Sequence, residues 1–560
     1  MVVPTPVVTE SEIDGIPTFS VDGPRPFTAA LEFRVGLYDE RLPERGITHL
    51  VEHLALYSHR ETEIAFNGSV GPHLTKFWAQ GHPDEVGAFL RDVATSIHEL
   101  PFDRLMIEAE ILQREEAMMG STHVDRILTS YFGPFGPGAA SAWQFGLDWL
   151  GPEEITSWAT RHFTADNAAL VIIGESPDSW GIELPVGQPV YYELPERVRA
   201  APESPTLLYV QEHGVTWGTL MRDRKGMVEP ELTIALEIVS KRLEDRLRHD
   251  LGRTYSVVRG WQRLDEDHLM AFHGFDADPE YSREAALEHQ RVLQEFIASG
   301  PSQEEIDRYV RIQAKGIEDH PQEIAGHHVA DVVEAHLQGW NRTVEYAEWM
   351  EACAAATPEA VRARLEEAHR QSFTVADLPP DTLATPKDVI EFAEAPMSGV
   401  EYRIRKIPWQ IEPGYPTAIR FGPDGISTLW YDGWLLEGID DIAMVSFKGG
   451  LVSIIASHTD IGVETRRYRK TRFQTSIPWS ASATILVLFV VGIILYFVEP
   501  WLFLVPWVVA GVIGANNLVH DSSLLKDRTR TVEEVAASFL PKDILLSSRA
   551  RPDPTATTRI

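Results

Sequence analysis

Residues 46–56 read GITHLVEHLAL and hold His49, Glu52 and His53 in an H-x-x-E-H pattern. Its logic is geometric. Positions i and i+4 of a helix share a face, so His49 and His53 can grip one metal ion. Glu52, three residues after His49, reaches the same face. Leu50, Val51, Leu54 and Leu56 can turn to a core and hold the helix still. Neutral imidazoles suit zinc, and a carboxylate beside it can act as general base. Two surface histidines and a glutamate on an ordinary helix would give the same letters.

Outward from this segment the chain mixes strands and helices without strict alternation, which predicts an α+β domain. Strand-like pieces at 16–21 and 27–35 precede it, and another follows at 73–79. Helical patterns cover 83–99, 102–119 and 152–163, and the apolar run AALVIIG at 168–174 reads as a buried strand. Residues 200–380 repeat the theme. Strand-like runs at 206–211, 254–262 and 268–274 interleave with helical stretches at 230–251, 282–298, 302–318, 323–337 and 358–372. Simple self-matching shows no repeat. The pattern reads as two half-domains of similar length and mixed content, 1–195 and 196–385.

Pro379, Pro380 and Pro386 mark a linker. Beyond it, β-prone runs at 418–421, 426–431, 442–447 and 451–457 alternate with turns at Asp424-Gly425, Asp432-Gly433 and Gly449-Gly450. That pattern predicts a small antiparallel β module over 386–475, with a length and turn pattern like those of pleckstrin-homology-like domains.

Residues 477–498 carry no charge and read SATILVLFVVGIILYFV at their centre. At ~1.5 Å per residue the run is long enough for a hydrocarbon core of ~30 Å. Glu499-Pro500 interrupts it, and WLFLVPWVVAGVIGA follows at 501–515. Arg466, Arg467, Arg469, Lys470 and Arg472 precede the first run; Lys526, Arg528 and Arg530 follow the second. The positive-inside rule then predicts a two-span transmembrane hairpin over 476–519, a cytoplasmic tail over 520–560, and a membrane-anchored protein with its main body in the cytoplasm. Membrane lipid is a partner on this reading.

Composition narrows the function. A formal net charge of -33 argues against a nucleic-acid binder, which would need a basic face. The single cysteine, Cys353, allows no internal disulfide and no multi-thiolate metal site. Any zinc must then sit on histidine and carboxylate. His320, His327 and His328 form a weaker candidate group, read as a solvated helix face.

The segment around His49 resembles the inverted zinc motif of the pitrilysin/insulinase family. The likeness extends to FTAALEFRVGLYDERLPERG before it and IEAEILQREEAM at 107–118 after it. In that family the latter helix carries two glutamates seven residues apart, and Glu108 and Glu115 match. The resemblance implies Zn2+ on His49, His53 and Glu115, Glu52 as catalytic base and Glu108 as the carboxylate supporting a ligand. Glu116 is the rival ligand. LRHDLGRTYSV, at 247–257, resembles the family's arginine–tyrosine segment, which implies substrate binding by Arg248 and Tyr255. The resemblance also implies that the two half-domains close as a clamshell. The implied activity is hydrolysis of short or unfolded peptides in a closed chamber, with self-association left open. The alternatives are an inactive relative serving as a membrane-tethered binding or structural subunit, and an adaptor that acts through its β module. One departure stands out. Between Tyr57 and His73 the chain is shorter than in relatives, and Gly68, Gly71 and Pro72 argue against the long edge strand that binds substrate there.

Overall fold

The computed structural model describes residues 7–546 except 24–25, 58–62, 120–121, 141, 197–201, 210–213, 223–228, 342–345, 377–392, 405–415, 431–432, 449–450, 458–459, 465–467, 471–531 and 542–543. The chain divides into two compact units, Met1–Asp388 and Val389–Ala550.

The first part of the first unit runs β1 (Thr9–Ile13), β2 (Ile16–Val21), β3 (Phe27–Phe33), α1 (Ile47–Leu56), β4 (Ala65–Val70), β5 (Thr75–Gly81), α2 (Pro83–His98), α3 (Leu105–Met119), α4 (His123–Phe132), α5 (Pro152–His162) and β6 (Ala168–Ile173). Its strands form one sheet in the order β1-β2-β6-β3-β5-β4. Only β2 and β6 pair in parallel.

The second part runs β7 (Thr206–Tyr209), β8 (Gly214–Arg222), α6 (Pro230–Leu243), a π-helical stretch Glu244–Asp250, β9 (Val258–Arg263), β10 (His268–Asp276), α7 (Ser282–Ser299), α8 (Gln303–Asp319), α9 (Pro321–Gln338), α10 (Tyr346–Ala355), α11 (Pro358–Arg370) and β11 (Ser372–Ala376). The sheet order is β7-β11-β8-β10-β9, and again only the first pair is parallel. Set β1 aside and the two sheets match strand for strand. The repeat that self-matching of letters misses is a repeat of topology.

The two parts are fastened by exchange. α9, from the second, packs on β2 and β6 of the first, where Val329, Val332 and Val333 meet Phe19, Val21 and Val171. α4, from the first, packs on β8, β10 and β11 of the second, where Ile127, Tyr131 and Phe132 meet Leu220, Met270 and Phe373. Tyr131 also donates its hydroxyl hydrogen to the Gln371 carbonyl at 2.8 Å. Each aliphatic or aromatic side chain so buried contributes about 1.5–3 kcal/mol.

The segment before His73 corrects the sequence expectation. β4 is a six-residue strand, paired antiparallel with β5 from Ala65↔Gln80 to Val70↔Thr75, and it forms the outer edge of the sheet. Gly68 lies inside it, opposite Phe77, and does not break it.

The second unit holds two small sheets. β12 (Val400–Ile404), β13 (Ala418–Gly422), β14 (Gly425–Leu429), β15 (Trp434–Gly438) and, later in the chain, β19 (Tyr468–Lys470) order as β15-β14-β13-β12-β19. β16 (Ile442–Lys448), β17 (Leu451–Ala456), β18 (Asp460–Glu464) and β20 (Leu545–Leu546) order as β18-β17-β16-β20. Residues 532–546 do not form the separate tail expected. Val532, Ala536 and Leu540 are buried with Tyr402, Phe421 and Phe447, and β20 pairs in parallel with β16.

The membrane-anchored, two-span localisation is also corrected. Among the described residues no helix is long and apolar enough to cross a membrane. The long helix α7 shows why: it carries Arg283, Glu284, Glu288, Arg291 and Glu295 along its length. The apolar runs of 477–515 lie outside the described residues, as does the proline linker.

Candidate metal centre

α1 begins without a capping side chain on its own N-cap residue. Gly46 takes that place with φ +95°, a left-handed conformation that glycine adopts without strain. The first-turn donors are met instead by Glu40, which is buried. Its Oε1 accepts the Thr48 N–H at 2.9 Å and its Oε2 accepts the Gly46 N–H at 3.0 Å. Arg45 donates to the same carboxylate at 2.5 Å. A carboxylate at a helix N-terminus is favoured by the exposed N–H groups and the helix dipole. Ile47, Leu50, Val51, Leu54 and Ala55 fill the core beneath, so the remaining face of α1 carries His49, Glu52 and His53.

α3 lies across that face. It brings Glu115 to the histidines: one ligand atom each of His49, His53 and Glu115 lie within 4.8 Å of one another. Among the described residues no other trio of histidine, cysteine or carboxylate does so, and His320, His327 and His328 do not. Glu116 points elsewhere and accepts the Gln144 backbone N–H at 2.8 Å. Glu108, two helical turns before Glu115, has its Oε2 3.3 Å from His53 Nδ1. With the Nδ1 hydrogen donated there, Nε2 keeps its lone pair for a metal. Arg104 donates to the other Glu108 oxygen at 3.1 Å.

Glu52 sits between the histidines, its Oε2 3.8 Å from Nε2 of each. Burial, helped by the nearby Glu115 carboxylate, pushes its acid up to about 8. Burial, with the neighbouring His53 and Arg45, pushes His49 down to about 4. His49 is therefore neutral near pH 7 and able to ligate.

Sequence reasoning missed two residues of this site. Gly68 is one. A Cβ built on it would stand 2.0 Å from Glu52 Oε1, so the carboxylate occupies the space a side chain would take. The other is Glu40, whose capping role depends on a loop folding back. A lone glycine in a short strand and a lone glutamate before a helix carry no local signal of either task.

Among the described residues no hydrogen bond, ion pair or ring contact joins Arg248 or Tyr255 to this trio. Arg248 lies in the π-helical stretch, bonded to Glu244 at 3.0 Å, with its guanidinium 5.3 Å from the Tyr255 ring centre. Tyr255 is 84% exposed.

No family model and no curated protein matches the sequence. Solved structures do match in fold. A protease from Helicobacter pylori aligns with a TM-score of 0.55 at 15% identity, covering 67% of this chain and all (100%) of that one. A peptidase M16 inactive domain from Pseudomonas fluorescens aligns at 0.52 and 14% identity, covering 68% and 99%. A chain of Complex III2 from Candida albicans aligns at 0.53 and 12% identity, covering 66% and 96%. These three are a protease, an inactive domain and a piece of a large assembly, so the likeness speaks for architecture and leaves the chemistry to the site. About two thirds of this chain has the fold of the M16-type peptidase domains.

Proposed function

We propose that this protein is a zinc metallopeptidase, with His49, His53 and Glu115 as ligands and Glu52 as general base. The observation that supports it is the convergence of two helices to put those three donors within 4.8 Å of one another, with Glu52 alongside. The donor set fits the ion. A tetrahedral zinc with bonds of about 2.1 Å spaces its ligands by roughly 3.4 Å, and modest side-chain rotation closes the difference. Two imidazoles and one carboxylate also leave a fourth position open, as catalytic zinc sites do.

Bound there, zinc would polarise a peptide carbonyl and make a neighbouring water more acidic. Glu52 takes the proton from the attacking water and passes it to the leaving amine. Glu108 fixes the His53 ring. Among the described residues β4 is the outermost strand of the sheet, beside Glu52, and an extended peptide would add there as one more strand. Short or unfolded peptides are the proposed substrates, since a folded chain offers no free strand. Arg248 and Tyr255 stand ready on the second part to meet substrate from outside the trio.

The second reading is an inactive relative that binds without cutting. The fold likeness to a peptidase M16 inactive domain favours it. One experiment divides the two readings. Full-length protein is assayed for zinc content and for cleavage of a mixed-peptide library, alongside Glu52→Gln. The proposal expects bound zinc in both and cleavage lost by about 10²–10⁴ in the variant. Zinc without cleavage in the parent chain establishes the binding reading; equal cleavage in the variant removes Glu52 from the chemistry.

A further inference from the structure

Beyond Glu108 lies a further layer that links back to α1. Arg104 sits in the turn that opens α3, at the end of the 3-10 stretch Phe102–Arg104. It donates to Glu108 Oε1 at 3.1 Å. Its guanidinium carbon also lies 4.4 Å from the centre of the Tyr57 ring. Tyr57 is the C-cap of α1, four residues after His53. The contacts therefore close a ring: His53 to Glu108 at 3.3 Å, Glu108 to Arg104, Arg104 to Tyr57, and Tyr57 back along one helical turn to His53.

We propose that Arg104 is a positioning residue of the metal centre: clamped on Tyr57, it holds Glu108, and so the His53 ring, in register for zinc. This inference rests on the zinc reading above. Three features support it. First, Glu108 is only 1% exposed, and a buried carboxylate needs cationic or hydrogen-bonding partners to offset lost hydration. Second, the order is arginine at i and glutamate at i+4, the weaker order for a pair on an isolated helix, so helix formation alone does not account for the pairing. Third, the guanidinium stacks as well as bonds. A planar cation over an aromatic face is fixed in direction in a way that an ammonium is not.

The ring has a mechanical consequence. If α1 slides along α3, or turns about its own axis, at least one of the three contacts must break. The sequence motif sets the ligands on α1 and α3, and Arg104 then ties the two helices at a point off the metal. Groups that orient a metal-bound histidine typically alter affinity by 10–100-fold when removed. Arg104 acts one step further out, so the lower end of that range is expected.

The test uses full-length protein and zinc alone, with affinity read by competition against a chelator of known strength. Arg104→Gln is expected to bind zinc about 10-fold more weakly. Arg104→Lys, which keeps charge but not the planar stack, is expected to fall between it and the parent. The thermal midpoint of the metal-free variants is followed in parallel. An affinity loss that lysine partly rescues, at unchanged midpoint, separates positioning from a general loss of fold. The double variant Arg104→Gln with Glu108→Gln is expected to bind no more weakly than Glu108→Gln alone, because Arg104 acts through that carboxylate. Unchanged zinc affinity in Arg104→Gln overturns the inference, and so does a further loss in the double variant. If the parent chain takes up no zinc at all, the zinc reading falls and carries this inference with it.

Discussion

The two halves of the first unit share a sheet order and a helix order but treat one position in opposite ways. In the first, a helix carboxylate, Glu52, lies over an edge-strand glycine, Gly68, with His49 and His53 on either side. In the second, a helix carboxylate, Glu237 on α6, is bonded at 2.7 Å by Arg259 of the edge strand β9. Gly260 is the neighbouring edge glycine, opposite Phe272 as Gly68 is opposite Phe77. One carboxylate lies between two half-buried imidazoles; the other is neutralised by an ion pair. The same architecture thus holds a candidate metal site in one half and an ion pair in the other.

The largest expected effect concerns what joins the halves. Val333 on α9 is fully buried against the first sheet. Val333→Asp is expected to lower the unfolding free energy by about 3–5 kcal/mol, the range for an uncompensated buried charge. Denaturant midpoints check it. By the same reasoning residues 1–195 alone should lack a cooperative transition, since the β2–β6 face would be bare. A small change in Val333→Asp would mean that the exchange of α4 and α9 is not what holds the halves.

The paired glycines sharpen the comparison. Gly68→Ala is expected to displace Glu52 and slow peptide hydrolysis by roughly 10²-fold, because its Cβ would meet Oε1 at 2.0 Å. Zinc content should not change. At Gly260 a Cβ would meet only the Phe272 ring, at 3.2 Å, so Gly260→Ala should leave hydrolysis near the parent rate. Equal rates in the two variants would dissolve the contrast.

A further effect is in acid. His273 and His289 are buried in the second half with their Nε2 atoms 2.7 Å apart, and Trp217 stacks on His273. Burial, with the nearby His369, drives His289 from its ordinary 6.5 down to about 3. Burial and the surrounding imidazoles lower His273 likewise. Each folded value lies below the unfolded one. The stability they contribute is therefore complete above pH 6.5 and lost as pH falls toward 3. His289→Gln should flatten that slope, measured by denaturant midpoints across the range. An unchanged slope would assign the acid sensitivity to other groups.

The sequence made some of this legible, and locality decides which parts. His49, Glu52 and His53 lie within about one helical turn, so helix geometry puts them on one face, whereas Glu108 and Glu115 are implied only by the family resemblance. The strand at Ala65–Val70 was misjudged because its pairing with Thr75–Gly81 and the packing of Glu52 over Gly68 are tertiary facts. Glycine looked like a breaker where it is a space. The exchange of α4 and α9 left no mark in either helix, since an apolar face does not say which sheet it covers. Residues 532–546 read as a tail because the sheet they complete lies far back in the chain. Arg248 and Tyr255 matched a spacing, and the structure pairs them with each other and not with the trio.

The central claim is the ligand set, and paired glutamine variants test it most directly. Glu115 reaches the histidines, whereas its neighbour Glu116 is bonded to the Gln144 backbone. Zinc stoichiometry is measured in full-length Glu115→Gln and Glu116→Gln after dialysis against the same zinc buffer. The expected result is metal lost from the first and kept, at one zinc per chain, by the second. Zinc kept by Glu115→Gln and lost by Glu116→Gln would contradict the site as described.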